Sequence, residues 1–389
     1  MIARAHTLDN PLRLAVDGRV LDDRYHGIGR ITEALLRQWA GRRDVDVTVF
    51  VRGTQQSVRF DLASLIEGSG FHRAEFDASL TSPVQWLRWP KALRRAGVEA
   101  ALFPYHLGAA VAGPCRRYAF VHDCIFEADR SFAPDARTRF LYTALTRVVV
   151  RRSHVLTPSR ASADEIARRY GVDVSDSAVV RWGVDASFEA AAGSATVDGL
   201  TMPTTYHLHV GTRRPHKNVV TLIEALALLP ASESLVLVGT IDSRWPDPVT
   251  DAARRLGVVD RIVHIPNVTE VGLRAAYAGA RTFLYPSVVE GFGLPLLEAM
   301  AAGVPVVASD IPVFREVAGN AAQFVAPRDP IAWAAAVADL GDDRRRTAAI
   351  ERGRAQVARA TWEAASERAL YAIGLQNLDG VTAREIRSC

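Results

Sequence analysis

At 389 residues, with 49% apolar and 23% charged side chains, the chain has the length for two domains with separate cores and the composition of a soluble globular protein. No run reaches the roughly 18 uninterrupted apolar residues of a membrane span, the first ten residues lack the apolar core of a signal peptide, and Cys115, Cys124 and Cys389 have no metal-ligand spacing, so a reducing compartment, the cytoplasm, is expected. Net charge is +4, and the first 200 residues hold all of it, with 27 of the 47 basic and 23 of the 43 acidic side chains; that half either faces an anionic partner or is a solvated arginine-rich surface, while the lack of basic runs interleaved with aromatics argues against nucleic acid.

In chain order, Leu12–Val16 reads as a short buried strand, followed by a loop with Gly27-Ile28-Gly29-Arg30 and a helix whose apolar positions are Ile31, Leu35, Leu36 and Trp39. Strand, glycine loop and helix make a Rossmann-type opening, although Gly-Ile-Gly alone also fits a plain tight turn. Val45–Val51 is the second strand, residues 53–82 read as polar and irregular loops with short elements, and Trp86–Ala96 as a helix. Ala100–Pro104 and Tyr118–Val121 are further strands, the second running into His122-Asp123. A histidine at the carboxyl end of a parallel strand stands where open α/β sheets hold ligands; the plainer alternative is a structural histidine bonded to nearby backbone.

Ala136–Arg152 reads as a helix, with Phe140, Leu141, Leu145 and Val148–Val150 on one side and arginines elsewhere. It suits either an anionic membrane surface or, more simply, partial burial with a solvated basic face. His154–Thr157 and the helix 163–170 follow, with Ser159 or Ser162 available as its cap. Residues 186–204, rich in Ala, Gly, Ser and Thr, read as a linker. The β/α alternation then restarts with strand Tyr206–Val210, helix Val219–Leu229, strands Ser234–Val238 and Arg261–Ile265 and helix Leu273–Ala280. Pro330–Leu340 and one or two helices over 344–374, anchored by Trp362, close the chain. This is an α/β chain of two doubly wound domains in series. His207 and His209 share a strand face but have no third ligand near them, so no metal site is expected.

Two stretches of the second half carry chemistry. Gly211-Thr-Arg213-Arg214-Pro-His216-Lys217-Asn218 joins the first strand of that half to a helix, and it gathers three permanent cations and a histidine, a set suited to phosphate. All but two of the 47 basic residues are arginine, and one of the two lysines, Lys217, sits in this loop; a compact ammonium suits a phosphate oxygen in a tight place. Glu290-Gly-Phe292-Gly293-Leu294-Pro-Leu-Leu-Glu298 lies between a buried strand and another strand that resumes after Gly303 and Pro305. Its helix N-terminus offers free N–H groups to an anion, and its two carboxylates are better suited to sugar hydroxyls than to phosphate. Together the stretches describe a site for a sugar nucleotide.

These residues resemble the retaining glycosyltransferases of family 4, which have the GT-B fold of two Rossmann-like domains facing a central cleft. Glu290 to Glu298 matches that family's Glu-x7-Glu motif, and Gly27-Ile-Gly29-Arg30, His122-Asp123, Thr157-Pro-Ser159, Gly183-Val-Asp185 and Glu316-Val-Ala-Gly319 fall in the family's order. The resemblance implies an acceptor-binding domain over 1–190, a nucleotide-sugar-binding domain over 205–365, and a C-terminal helix over 366–389 packed back on the first. It implies that a hexose moves from GDP-mannose or a UDP- or dTDP-hexose to a hydroxyl of a glycan, a lipid-linked or a small acceptor, without metal or cofactor and through a front-face route. Lys217, with Arg213 or Arg214, would neutralise the diphosphate, Glu298 hold the ribose, Glu290 and His122 flank the donor sugar, and the backbone around Phe292, Gly293 and Leu294 meet the sugar or phosphate. The loop at Gly27 and Gly29 would close over the phosphates. Many relatives have arginine where this chain has His216, so a histidine facing the diphosphate would make donor binding pH-dependent. Two alternatives stand beside this reading: another GT-B enzyme such as a sugar-nucleotide epimerase, or a non-catalytic scaffold. The setting implied is the cytoplasm or the inner face of the membrane, with peripheral contact to anionic lipid.

Overall fold

The computed structural model describes residues 10–22, 26–55, 57, 59–189 and 196–374. The elements are β1 (Leu12–Asp17), α1 (His26–Trp39), β2 (Val45–Val51), β3 (His72–Glu75), α2 (Val84–Ala96), β4 (Ala100–Phe103), β5 (Arg116–Phe120), α3 (Ile125–Ala128), α4 (Ala136–Arg152), β6 (His154–Leu156) and α5 (Arg160–Tyr170). The second half holds the two-stranded β7 (Thr196–Val197) and β8 (Leu200–Thr201), then β9 (Tyr206–Val210), α6 (Val219–Leu226), β10 (Ser234–Val238), α7 (Pro248–Arg255), β11 (Ile262–Ile265), α8 (Glu270–Ala278) and β12 (Thr282–Tyr285). It closes with α9 (Leu294–Ala301), β13 (Val306–Ser309), α10 (Pro312–Ala318), β14 (Ala322–Val325), α11 (Pro330–Asp339), α12 (Asp343–Val357) and α13 (Trp362–Ile373). Among the described residues no helix is long and apolar enough to cross a membrane.

Contacts divide the chain into two compact units. The first comprises Met1–Cys124, Phe140–Trp182 and Trp362–Cys389, and the second Ile125–Arg139 and Gly183–Thr361. The first unit is built on a six-stranded parallel sheet of order β3-β2-β1-β4-β5-β6. The second has its own, β11-β10-β9-β12-β13-β14, and every pairing in it is parallel. Parallel pairing needs crossovers, and these cover both sheet faces, so the strands read as apolar runs such as Thr282–Tyr285, which is buried throughout. These are two Rossmann-like doubly wound sheets, as the alternation of elements predicted.

Each sheet reverses direction once. In the second unit the chain runs outward from β9 to β11, then returns to lay β12 on the other side of β9. The loops after β9 and β12 therefore emerge side by side at the carboxyl ends of two central strands, the switch point where open sheets bind ligands. In the first unit the switch lies between β1 and β4.

Several local expectations are corrected. Gly27 and Gly29 lie in the first turn of α1, not in an open loop. Gly29 is needed for packing, since a Cβ there would meet the Phe60 ring at 2.7 Å and the Val20 carbonyl oxygen at 2.9 Å. The short elements expected among the loops of residues 53–82 are β3, paired along β2, and a short π-type turn over Ala63–Glu67. The expected linker contains the β7–β8 hairpin. On α4, Phe140 and Leu141 do not share the buried side of Val149 and Val150; they are exposed at 72% and 47%, beside the arginines. Ser159 caps α5, its Oγ accepting from the Ser162 N–H at 3.0 Å. α13 packs against α1 within the first unit, and the Arg42–Glu367 ion pair joins residues distant in sequence there.

The core of the first unit also hides a charge pair that sequence patterning did not reveal. Asp17 and Arg19, both fully buried, pair at 2.7 Å. The same guanidinium donates to the Ala78 and Gly108 carbonyls and to Gln85 Oε1, at 2.8 to 3.1 Å, and lies over the Phe76 and Trp89 rings. One side chain thus ties the segment after β3, helix α2 and the turn after β4 to the end of β1.

Candidate active site

The loop after β9 is shaped by backbone proximity. Gly211 donates its N–H to the Val238 carbonyl and Arg213 to that of Thr240, so the loop runs on beside the one after β10. Gly239 permits this approach: its φ is +128°, and a Cβ there would stand 2.4 Å from the Gly211 oxygen. Pro215–Lys217 then forms a single 3-10 turn, and Asn218, in the left-handed region at φ 53°, redirects the chain into α6. The Asn218 side chain donates to the Pro286 and Pro327 carbonyls at 3.1 and 2.6 Å. Val288 N–H bonds the His216 carbonyl at 2.8 Å. These bonds staple the loop after β9 to the loop after β12.

The staple brings Lys217 and Glu290 together. Lys217 Nζ donates to Glu290 Oε1 at 2.6 Å and to the Tyr285 hydroxyl at 3.1 Å. The two charged side chains are 14% and 10% exposed. Burial opposes the charge on each, but mutual attraction outweighs it. The ammonium is held above the usual lysine range, chiefly by Glu290, and the carboxylate below its own, chiefly by Lys217. Burial and the Glu290 charge push the Tyr285 hydroxyl up, so it stays protonated. The Tyr285 ring lies stacked on Phe314.

Two histidines complete this wall. Burial pushes His209 down to about 4, and its Nδ1–H donates to the Leu284 carbonyl at 3.0 Å, leaving Nε2 buried without a hydrogen-bond partner. His216 is only 3% exposed, packed edge-on against Phe132 at 6.0 Å, and burial pushes it down to about 3. It is neutral near pH 7, and the anticipated pH-dependent contact to a diphosphate has no basis in this geometry. Phe132, from the 125–139 segment of the same unit, gave no sign of this role in sequence because it is distant in the chain.

Arg213 and Arg214 are both engaged. Arg213 pairs with Asp247 at 2.9 Å and Arg214 with Asp242 at 3.0 Å. Arg244 also pairs with Asp242, and this arginine, first of all, holds the Asp242 carboxyl down to about 2. Arg213 is nearly buried, whereas Arg214 is about one-third exposed, its guanidinium 5.8 Å from the Trp245 ring.

The stretch after β12 turns at Gly293, whose φ of +109° no other residue adopts without strain. Leu294 opens α9 and Pro295 sits in its first turn, where its missing N–H costs nothing. Phe292 is buried. Glu298, one turn on, is 3% exposed and accepts from the Tyr277 hydroxyl at 2.9 Å. Tyr277, on α8, is the partner sequence reasoning missed. Within this unit Lys217, Tyr285 and Glu290 thus form one cluster, and Glu298 stands on the adjoining helix.

His122 belongs to the first unit, at the end of β5. Its Nε2–H donates to the Pro104 carbonyl at 2.7 Å, and its ring lies against Phe120 and Trp182. The plainer alternative, a backbone-bonded histidine, thus describes the bond it makes. Gly27 and Gly29 are in the same unit, on α1. No group of three His, Cys, Asp or Glu side chains among the described residues is arranged to hold a metal.

Two doubly wound parallel sheets in one chain, the second carrying cations and carboxylates at its switch point, define a GT-B protein. Residues 199–356 match the family described as glycosyl transferases group 1, and residues 25–188 match glycosyltransferase family 4. The chain belongs to these GT-B glycosyltransferases. It is 31% identical over 255 residues to the O-antigen chain mannosyltransferase B of Escherichia coli, a match covering 62% of this chain and 66% of that protein. It is 34% identical over 222 residues to the O-antigen chain mannosyltransferase RfbU of Salmonella typhimurium, covering 57% and 59%. The matches thus span less than two thirds of those relatives. Among solved structures, sucrose-phosphate synthase of Thermosynechococcus elongatus superposes with a TM-score of 0.72 at 18% identity, covering 92% of this chain and 98% of that one. The Anabaena protein HepE, in complex with UDP and glucose, gives 0.70 at 16% identity, covering 93% and 98%.

Proposed function

We propose that the protein is a retaining hexosyltransferase that takes its sugar from a nucleotide diphosphate donor and passes it to a hydroxyl acceptor without a metal. The observation that carries this reading is the Lys217–Glu290 pair at the switch point of the second sheet, with Glu298 one helix turn beyond Gly293. A buried ammonium held charged by a carboxylate is preorganised to meet the negative charge that grows on a leaving diphosphate. In this reading Lys217 shares its protons between Glu290 and a phosphate oxygen, and Arg214, the more exposed of the two arginines, turns from Asp242 towards the diphosphate. Glu298 takes the ribose hydroxyls, while Glu290 takes hydroxyls of the sugar.

The bond from the anomeric carbon to the phosphate oxygen breaks as the acceptor oxygen attaches to the same face. The acceptor proton passes to the departing phosphate oxygen, so no protein nucleophile is required. The two mannosyltransferase relatives put GDP-mannose first among donors to try, and HepE, solved with UDP, adds UDP-sugars. The reducing-compartment composition keeps the cytoplasm as the setting.

The test is incubation of purified protein with GDP-, UDP- and dTDP-hexoses in the presence of EDTA, following release of the nucleoside diphosphate. One donor is expected to be turned over slowly by hydrolysis, and faster when a hydroxyl acceptor is supplied. No turnover of any donor, with or without added metal and acceptors, would leave a non-catalytic scaffold as the better description.

A further inference from the structure

One polar group at the switch point of the second unit has no part in the chemistry above. His209 ends the buried run of β9, the central strand whose loop carries Lys217. It is 1% exposed, and its Nδ1–H is committed to the Leu284 carbonyl at 3.0 Å. That bond fixes the tautomer, so Nε2 carries a lone pair, buried with no hydrogen-bond partner. Nε2 looks towards the cation loop. A Cβ on Gly211 would stand 3.5 Å from Nε2 and 3.6 Å from Lys217 Cε, so both side chains border the space this glycine leaves open. Tyr285, whose hydroxyl accepts from Lys217 Nζ, has its ring 6.0 Å from the imidazole. Burial first, then Lys217 and Arg213, keep the imidazole neutral, against the Leu284 carbonyl and Glu290, which favour its charged form.

The charges of the surrounding loops fall short of a diphosphate. The loops after β9, β10 and β12 hold four cations, Arg213, Arg214, Lys217 and Arg244, against three carboxylates, Asp242, Asp247 and Glu290. Each of these cations is already paired with one of those carboxylates. The net is one positive charge, and the diphosphate of a nucleotide sugar brings two negative ones.

We propose, on the reading that this diphosphate binds beside Lys217, that His209 takes up one proton at Nε2 as the donor binds and supplies the missing cation. The proton comes from solvent and returns to it when the nucleotide leaves. Two negative charges about 6 Å away, at an effective dielectric near 20, favour the imidazolium by roughly ten-thousandfold. That brings a ring which titrates at about 4 without donor up to neutrality. His216, the other buried histidine of this wall, has its ring against Phe132 instead.

The full chain is titrated calorimetrically with GDP-mannose, UDP-hexoses and dTDP-hexoses, in two buffers of unlike ionisation enthalpy. Nucleotide sugars suit the test because their diphosphate, esterified at both ends, does not itself titrate near neutrality. Uptake of roughly 0.5 to 1 proton per donor bound is expected at about pH 7. Affinity should fall by up to about tenfold per pH unit between the free imidazole's value and its value in the complex, and level off above that. His209→Asn keeps an amide N–H for the Leu284 carbonyl but has no Nε2. It should bind the donor without proton uptake, with an affinity unchanged between about pH 6 and 8. Nitrogen-15 spectra of histidine-labelled wild type read the same event without a substitution: one imidazole, protonated at Nδ1 throughout, should gain a proton at Nε2 when donor is added. Donor binding without proton uptake would overturn the proposal and leave the donor site standing. Uptake undiminished in His209→Asn would also overturn it, assigning the proton to Glu290 or His216. Binding of no donor would overturn both the proposal and the donor site.

Discussion

Removing both partners of the Lys217–Glu290 pair should cost the second unit less than the two single removals added together. At 2.6 Å the attraction is of the order of 6 kcal/mol for an effective dielectric near 20, and much of it offsets the cost of taking both groups out of water. Glu290→Gln leaves an ammonium against a neutral amide and Tyr285. Lys217→Met leaves a carboxylate whose nearest cation is gone. Each single change should destabilise by about 3 kcal/mol, at the low end for a buried pair because some solvent reaches both groups. That corresponds to a fall in Tm of roughly 6 to 12 °C for a unit of this size. The double variant should recover about 2 kcal/mol relative to the sum. The assay is urea unfolding of all four proteins, followed by the emission of Trp245 and Trp333. The sign with pH follows from the shifts. Glu290 is held below its ordinary range, so its contribution is present above that range and lost as pH falls through the lowered value. Lys217 is held above its range, so its contribution is present below that and lost only in strong base. The coupling should therefore be flat from about pH 6 to 9. Single variants whose effects add to within about 0.5 kcal/mol would refute the pair as a mutually neutralising unit.

Other expectations follow from single observations. Tyr277→Phe removes the hydroxyl that bonds Glu298 and should raise the donor KM roughly tenfold, about 1.4 kcal/mol, with kcat little changed in steady-state kinetics. Arg19→Met strands the fully buried Asp17 and should cost the first unit about 3 to 5 kcal/mol by chemical denaturation. Gly239→Ala forces a Cβ against Gly211 at an unfavourable φ and should abolish donor binding by calorimetry, since the loop holding Lys217 cannot keep its course. Four histidines kept neutral by burial, His106 and His216 pushed down to about 3 and His122 and His209 to about 4, bind protons in the unfolded chain first. Stability should fall as pH drops below about 6.5, by roughly 2 kcal/mol per histidine at pH 5, in thermal melts across that range.

The fold was legible because parallel sheets write themselves as apolar runs separated by helical periods. Tyr206–Val210, Ser234–Val238 and Thr282–Tyr285 were each bounded by glycine or proline and needed no tertiary information. β3 was missed because His-Arg-Ala-Glu is an edge strand with little burial, so it lacks the apolar signal. In the candidate site, residue types and loop positions could be read, but partners could not. That Lys217 rests on Glu290, that Phe132 seals His216 and that Tyr277 bonds Glu298 depends on pieces of chain folded together from afar. The exposed Phe140 was misjudged for a related reason. Its helix is apolar on more than one side, so periodicity alone does not say which side the sheet covers.

We propose that the switch point of the second unit binds a nucleotide sugar through Lys217. Calorimetric titration of the wild type and Lys217→Met with GDP-mannose, UDP-hexoses and dTDP-hexoses in EDTA tests it most directly. One-site binding of at least one donor by the wild type is expected, with a loss of at least a hundredfold in the variant, about 2.7 kcal/mol. Binding of no donor by the wild type, or equal binding by Lys217→Met, would contradict it.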